Sequence, residues 1–413
     1  MPLRIVFLVH AHILESFGGT EHATFALHKH FYNENNGAIQ SWVISAGEPS
    51  KSKPEKNDFR IKTESFQISL KGRSQDERDT QLEFILKEIN PQIVHVHHYI
   101  HFGIDVIPAL RKLCPTAKIV LTVHEFLLLC AHQGQMITRN SNKICTNPKP
   151  DQCIQCFPGN NKQEFEARIE ATQQAIDACD GIISPSLFLM NVLRKHRKIN
   201  QNTAIIENGL PPMALHNCNQ SDQQLNNTKP KRFAFFGQIS ERKGILILLQ
   251  ACYILMRKEP NSFKLEINGG GLEKQPAFIQ YRIHQLLKAC EHHVFYNGKY
   301  KQDQITSLMS SCDWVVVPSI WWENSPVVIQ EAFAHNRPVI GTDHGGIQEK
   351  IMGLGGLTFK NADPNALADC MLQASKSPEL HQLLQQQIKQ VSSAEQCANN
   401  HLDFYNTLLH QND

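Results

Sequence analysis

Several things are scarce in this 413-residue sequence, and each scarcity excludes something. Charge of one sign is lacking. With 41 basic and 39 acidic residues the formal net charge is +2, which gives a polyanion no electrostatic footprint and argues against a nucleic-acid partner. Long apolar runs are lacking too. The longest purely aliphatic stretch is Ile245 to Leu249, far short of the roughly 20 residues a membrane span needs. No Asp-x-Asp occurs anywhere in the chain, so one compact carboxylate clamp for a divalent ion is missing, and no catalytic divalent metal is expected. Charged residues make up 19% and hydrophobic ones 41%, a composition for burying a core and not for disorder.

What is present fits two α/β domains of ordinary size. The opening segment MPLRIVFLVHAHILESFGG is apolar but short, and His10 and His12 interrupt it. It reads as a first β-strand and not as a leader. A cytoplasmic protein is expected, in which the 12 cysteines are mostly thiols or metal ligands.

The most informative stretch is Cys312 to Gly346, CDWVVVPSIWWENSPVVIQEAFAHNRPVIGTDHGG. Trp314 to Val317 has the length and β-branching of a buried strand, and Pro318 ends it. Ser325-Pro326 reads as a helix start, with serine as N-cap and proline in the first turn. The helix runs to about His335, and Pro338 to Thr342 forms the next strand. In such a sheet ligands collect at the carboxyl ends of the strands. Glu323 lies just before the helix and Glu331 inside it, on the face of Val327 and Val328. Helical side chains lean toward the N-terminus, so both carboxylates can serve a ligand held there. Free N–H groups at that end favour a pyrophosphate, and an ionised carboxylate suits the vicinal hydroxyls of a sugar. The spacing Glu-x7-Glu taken alone fits a solvated pair equally well.

The wider context is more specific. Pro318-Ser319, Glu323, Pro326, Glu331-Ala332, Arg337-Pro338-Val339 and Gly345-Gly346 are placed as in the retaining, nucleotide-sugar-dependent glycosyltransferases of the GT-B fold, family 4. The sequence resembles that family closely here and more thinly over nearly the whole chain. The resemblance implies an α/β fold with two Rossmann-like domains facing a cleft, and a C-terminal helix crossing back to the first domain. The expected divisions are an N-terminal acceptor domain over 1–213, a linker over 214–230, a donor domain over 231–392 and the crossover helix over 393–413. The linker is read from the Asn, Gln, Ser and Asp content of His216 to Pro230.

Other motifs fall into place along the chain. Gly18-Gly19 precedes a helix from about Glu21 to Phe31, where glycines allow close approach of a ligand to the helix N-terminus. The pair resembles the family's Gly-Gly loop. Strands at Gln92 to His98 and Lys118 to Val123, separated by a helix, imply a parallel sheet. His97, His98 and His124 end these strands. His124 resembles a family histidine that serves the transferred sugar or the acceptor. Glu125 stands where the family usually has aspartate, which leaves its role open.

In the second half Arg242-Lys243-Gly244 follows the strand Arg232 to Phe236. Arginine as a fork and lysine as a point charge suit a pyrophosphate, and Lys243-Gly244 matches the family's Lys-Gly motif. As a ligand-facing cation, Lys243 is expected to matter for activity and little for stability. The glycines at 269–271 resemble the turn beneath the nucleotide. The resemblance thus implies donor contacts at Gly18, Gly19, Gly237, Arg242, Lys243, Gly270, Glu323, Asn324, Ser325, Val327 and Glu331, with catalytic roles for His124, Glu323, Arg242 and Lys243.

Cys130, Cys145, Cys153 and Cys156 define an insertion over 130–156. The last two form a Cys-x2-Cys knuckle, which lets two thiolates share one tetrahedral ion. The polar, turn-rich segment between them offers almost nothing for a core, so a structural Zn2+ is the expected staple. Disulfides and plain thiols are the alternatives.

The implied activity is retaining transfer of a sugar from a nucleoside-diphosphate sugar to a glycan or lipid-linked acceptor, in polysaccharide or glycoconjugate biosynthesis. Contact with the inner face of a membrane would be peripheral. A non-catalytic nucleotide-sugar-binding protein and a sugar-nucleotide 2-epimerase of the same fold are the alternatives.

Overall fold

The computed structural model describes residues 2–15, 18–34, 37–47, 57–63, 76–211 and 231–411. The linker read at 214–230 lies outside them. The chain divides into two compact units, Met1–Gly209 with Ala394–Asp413, and Leu210–Ser393.

The first unit opens with β1 (Leu3–Val9), α1 (Gly19–Glu34), β2 (Ile39–Ala46) and β3 (Asp58–Ile61). It continues with α2 (Asp76–Ile89), β4 (Ile93–Val96), α3 (Val106–Leu113) and β5 (Lys118–Thr122). Then come α4 (Pro150–Cys156), α5 (Lys162–Asp177), β6 (Gly181–Ser184), α6 (Leu187–His196) and β7 (Asn202–Ile205). These strands pair in parallel in the order β3-β2-β1-β4-β5-β6-β7. The chain therefore winds outward one way from β1 and then the other way from β4. That reversal leaves a crevice at the carboxyl ends of β1 and β4.

The second unit begins with β8 (Arg232–Phe236), α7 (Ile245–Lys258), β9 (Lys264–Asn268), α8 (Ala277–Ala289) and β10 (Val294–Gly298). Next are α9 (Ile305–Ser311), β11 (Trp314–Val317), α10 (Val327–Ala334), β12 (Val339–Thr342) and α11 (Gly345–Ile351). It ends with β13 (Gly356–Phe359), α12 (Pro364–Lys376) and α13 (Pro378–Gln387). The parallel order is β10-β9-β8-β11-β12-β13, so this sheet reverses between β8 and β11.

Both faces of the second sheet are covered, which is why its strands read as apolar runs without alternation. Phe233, Phe235, Trp314, Val316 and Ile340 enter one core layer. Ala234, Phe236, Val315, Val317 and Val339 enter the other. Adjacent residues thus serve opposite layers.

The last helix, α14 (Ala394–His410), returns to the first unit, where Cys397, Ala398, Tyr405 and Leu408 join the core of Ile5, Phe7 and Val9. Among the described residues no helix is long and apolar enough to cross a membrane.

Two expectations are corrected. The N-cap of α10 is Pro326, not Ser325, and the helix begins at Val327. The 130–156 segment is also less hollow than its polarity suggests. Met136 and Ile137 are buried, Ile137 and Ile144 form an antiparallel bridge, and Cys153 and Cys156 lie on α4 instead of in an open knuckle.

The loop from β8 to α7 depends on one glycine. Gly244 has φ +74°, and a Cβ there would lie 1.8 Å from the Pro318 carbonyl oxygen. The close approach lets the Ile320 N–H donate to the Arg242 carbonyl at 2.9 Å. Gly244→Ala should lower stability by about 1–3 kcal/mol in denaturant unfolding. Gly19→Ala, with nothing within 4 Å of its added Cβ, is the control. Equal effects of the two substitutions would contradict this account.

Candidate functional site

The reversal point of the second sheet carries the most organised cluster. Lys243 follows β8 and Glu323 follows β11, and their side chains meet, with Lys243 Nζ donating to Glu323 Oε1 at 2.5 Å. Ser319 Oγ donates to the same oxygen at 2.9 Å and Trp321 Nε1 at 2.8 Å. Lys243 Nζ also stands 5.8 Å from the centre of the Trp321 ring, within cation–π reach. Burial alone would raise the Glu323 pKa, but Lys243 and the three donated bonds overcome it and hold the carboxyl below its ordinary range. Glu323 is therefore an oriented anion at neutral pH.

Its backbone is pinned as well. The Gly346 N–H donates to the Glu323 carbonyl at 2.9 Å. A Cβ at Gly346 would lie 1.6 Å from the Asn324 carbonyl oxygen, so only glycine lets α11 approach this closely. Across the loop, His344 Nε2 contacts the Trp321 carbonyl oxygen at 3.2 Å. Asn324 and Ser325 continue this loop into Val327, the first residue of α10.

Glu331 lies deeper, 8% exposed. Gln302 Nε2 reaches its Oε1 at 3.4 Å, and burial pushes its pKa up to about 7. The loops after β8 and β9 are stitched together. The Gly237 N–H donates to the Asn268 carbonyl at 3.1 Å, and the Ile239 N–H to the Gly270 carbonyl at 2.8 Å. Lys243, Glu323, Glu331 and these glycine turns thus all lie at or beyond the carboxyl ends of parallel strands, where an α/β sheet holds its ligand.

The first unit gathers histidines at its own reversal point. His97 Nδ1 lies 3.0 Å from His124 Nε2, and His10 and His98 have ring centres 4.2 Å apart. Behind them His95 is held by Tyr405 of α14 at 2.6 Å and by Thr122 at 2.7 Å. Burial, then the neighbouring His401 and His10, lowers the His124 pKa to about 3. Burial likewise holds His97 and His98 well below the usual imidazole range. These rings are neutral hydrogen-bonding groups, not cations. Gly18 lies against the Glu21 carboxylate, which pairs with His10 at 3.3 Å, and Gly19 opens α1.

Glu125 reaches from the strand-end His98 to Gly134. One carboxyl oxygen is 3.5 Å from His98 Nε2, and the other fills the space over Gly134, where a Cβ would come within 1.4 Å of it. The side chain is 32% exposed, yet burial of its carboxyl raises the pKa to about 8. The extra methylene relative to aspartate joins the His124 loop to the cysteine segment.

The four cysteines share one neighbourhood. The Cys153 thiol is pushed up to about 12 by burial first and then by Cys130, Cys145 and Cys156. No group of three or more His, Cys, Asp or Glu side chains among the described residues closes into a geometry that could hold a metal.

Sequence reasoning missed His10, Ser319, Trp321 and Gln302 as site residues. The signal for the first three was position, since each lies directly or almost directly beyond a parallel strand. The contact of Gln302 with Glu331 was not legible, because it depends on where the β10–α9 connection folds.

Comparison with known proteins agrees with this architecture. Residues 17–212 match the family described as Glycosyltransferase Family 4, and residues 218–391 match Glycosyl transferases group 1. A D-inositol 3-phosphate glycosyltransferase of Corynebacterium diphtheriae is 27% identical over 221 residues, 51% of this chain and 51% of that protein. A lipopolysaccharide 1,2-N-acetylglucosaminetransferase of Salmonella typhimurium is 28% identical over 212 residues, 49% of this chain and 55% of its own length. The matched region spans about half the length of these curated relatives. Among solved structures, Anabaena HepE in complex with UDP superposes with a TM-score of 0.70 at 16% identity, covering 98% of this chain and 100% of that one. A sucrose-phosphate synthase from Thermosynechococcus elongatus gives 0.72 at 16% identity, covering 99% and 100%. These are GT-B folds.

The raised Glu331 pKa has a checkable consequence without any ligand. A carboxyl at about 4.5 when unfolded and about 7 when folded binds its proton more tightly in the folded state. Its contribution is fully present below pH 4.5 and is lost as pH rises through 7. Glu331→Gln should therefore melt higher than wild type at pH 8, with the gap closing toward pH 5. A gap independent of pH would refute the buried, proton-binding carboxyl.

Proposed function

We propose, for a chain that carries a Glycosyltransferase Family 4 domain followed by a group 1 glycosyltransferase domain, retaining transfer of a hexosyl group from a nucleoside-diphosphate sugar to a glycan or lipid-linked acceptor. The contact between Lys243 and Glu323 carries this reading. It couples a cation suited to a diphosphate with a carboxylate suited to sugar hydroxyls, at the reversal point of the donor-domain sheet.

The proposed division of labour follows from the chemistry of each group. Lys243 and Arg242 neutralise the charge that builds on the departing diphosphate, typically the largest electrostatic contribution to such a step. When the diphosphate draws Lys243 toward itself, Glu323 Oε1 becomes available to a sugar hydroxyl, while Ser319 and Trp321 keep the carboxylate aimed. Glu331 accepts from the ribose hydroxyls, with the turns at Gly237 and Gly270 and the segment Asn324, Ser325 and Val327 completing the donor site. In the first unit Gly18 and Gly19 face the donor, and His124 bonds the transferred sugar or the acceptor as a neutral ring. The bond from the anomeric carbon to the phosphate oxygen breaks as the acceptor oxygen attacks from the same face. The leaving phosphate takes the acceptor's proton. The divalent clamp that an Asp-x-Asp pair would hold has no counterpart in the sequence, and Lys243 and Arg242 take its electrostatic role. Polysaccharide or glycoconjugate synthesis in the cytoplasm is the setting this chemistry suits, with any membrane contact peripheral. UDP, present in the HepE structure, is the first nucleotide to try.

Lys243→Ala should reduce transfer by about 10²-fold or more, the value of a lost charge-assisted contact that strengthens in the transition state. The ion pair with Glu323 also alters the stability expected of this variant. A largely buried carboxylate loses its counter-charge, so a loss on the order of 1–3 kcal/mol accompanies the activity change, and rates are compared per folded molecule. In the same series Glu331→Gln should weaken UDP binding, while Glu323→Gln spares UDP and impairs turnover. Undiminished transfer by Lys243→Ala, or equal UDP losses in the two glutamate variants, would remove these assignments.

The same reading includes a structural Zn2+ held by Cys130, Cys145, Cys153 and Cys156. Four free thiols in one neighbourhood are the donor set a thiophilic ion takes, and to hold one the 130–156 segment would have to draw them closer together than they stand here. Bound there, the ion supplies no chemistry to the reaction, because four protein ligands leave no open position. Arg168 and Arg197 already tie the adjoining turn, donating to the Leu127 and Leu128 carbonyls. Strong chelation or Cys153→Ser should thus lower the melting temperature and acceptor turnover but leave UDP binding intact. Elemental analysis showing no zinc in protein kept reduced throughout would sink the metal.

A further inference from the structure

An open cavity of about 610 Å3 lies in the first unit, and none of the strand-end histidines lines it. One wall is a single face of α1. Phe25, His28, Lys29, Tyr32 and Asn33 line it, at the i, i+3, i+4, i+7 and i+8 spacing that stacks helical side chains over one another. Facing them are Ile13 from the loop after β1 and Asn57 and Asp58 at the start of β3.

This facing wall is braced. His12 Nε2 meets Asp58 Oδ2 at 2.6 Å, Arg60 reaches His12 Nδ1 at 3.0 Å, and Arg60 also pairs with Glu15 at 2.6 Å. On the helix side His28 Nδ1 is bonded to Ser41 Oγ at 3.0 Å. Tyr32 is 56% exposed, a large ring left in contact with water beside a built cavity.

The lining decides the class of ligand. A phosphate would call for several converging cations, and here Lys29 is accompanied by Asp58, itself paired with His12. Burial lowers the His28 pKa to about 4, so it adds no second positive charge at neutral pH. An acyl chain would call for a wall without amides or carboxylate, yet Asn33, Asn57 and Asp58 stand in it. A neutral polyhydroxylated ring needs an apolar platform together with side chains that donate and accept around its rim. Tyr32 and Phe25 supply the platform, Lys29 and Asn33 supply donors at the rim, and the Asn57 side-chain carbonyl accepts there while its amide is held by the Ser41 carbonyl at 2.9 Å. The volume lies within the roughly 300–1,000 Å3 typical of ligand pockets.

We propose that this cavity is a subsite for uncharged sugar residues of a glycan, holding the part of the acceptor remote from the hydroxyl that reacts. It deepens the glycan-acceptor reading above and rests on it for its role, though not for the binding itself.

The test uses the full chain and neutral tetrasaccharides of β-1,4-linked glucose, α-1,4-linked glucose and β-1,4-linked N-acetylglucosamine, titrated and followed by saturation-transfer NMR. At least one should bind the wild type at millimolar concentration. Tyr32→Ala should weaken that binding by about tenfold, equivalent to about 1.4 kcal/mol, and Tyr32→Phe should retain it. UDP affinity and the melting temperature should stay the same in both variants, the melting temperature reporting that the first unit is folded. No binding of any of the three by the wild type, or undiminished binding by Tyr32→Ala, overturns the site. The acceptor reading is judged separately, by transfer to any glycan. A wild type that binds a tetrasaccharide through Tyr32 yet transfers sugar to none keeps this subsite and loses that reading.

Discussion

The second unit is organised around one ion pair. Lys243 and Glu323 come from loops 80 residues apart in sequence, and they meet because β8 and β11 are neighbours at the point where the sheet reverses direction. Everything near the pair serves its geometry. Gly244 lets its loop touch Pro318, Gly346 lets α11 touch Asn324, and Ser319 and Trp321 spend their donors on the same carboxylate oxygen. A lysine alone in this position would be a mobile point charge. Tied to an oriented carboxylate it is held at one place beyond the strand ends.

The first unit solves a different problem at the same topological position. Its strand ends carry uncharged rings where the second unit carries ions. Burial is the cause, since a protonated imidazole loses more than a neutral one when water is excluded. The cluster His95, His97 and His124 is backed by Tyr405, which arrives from the far end of the chain on α14. The last helix thus contributes to the shape of the histidine cluster as well as to the core. Glu125 links this cluster to the cysteine segment by reaching over Gly134, so the departure from aspartate has a local structural use.

Much of this was legible in the residues. The strands at Arg232 to Phe236, Trp314 to Val317 and Pro338 to Thr342 read correctly to within a residue, because burial on both faces selects continuous β-branched and aromatic runs, whereas Gly356–Phe359 gave no such run and was not read. That Glu323, Lys243 and His124 lie beyond strand ends was legible, because parallel strands deliver the residues that follow them to one edge. The 130–156 segment was misread in part. Composition made it look coreless, yet Met136 and Ile137 are buried, which a local count of polar residues does not foresee.

Taken by itself, then, the sequence determined the α/β class, the parallel sheets, the glycine turns and the identity of the groups at the strand ends. These follow from period, β-propensity and the chemistry of single side chains. Only the tertiary structure decided that Lys243 neutralises Glu323, that the histidines are held uncharged, that Glu331 keeps a proton to about pH 7, and that one face of α1 lines an open cavity. Each of these depends on distances between segments remote in the chain and on how much water reaches them. Pairing and desolvation are properties of the packed fold, and no stretch of sequence contains them.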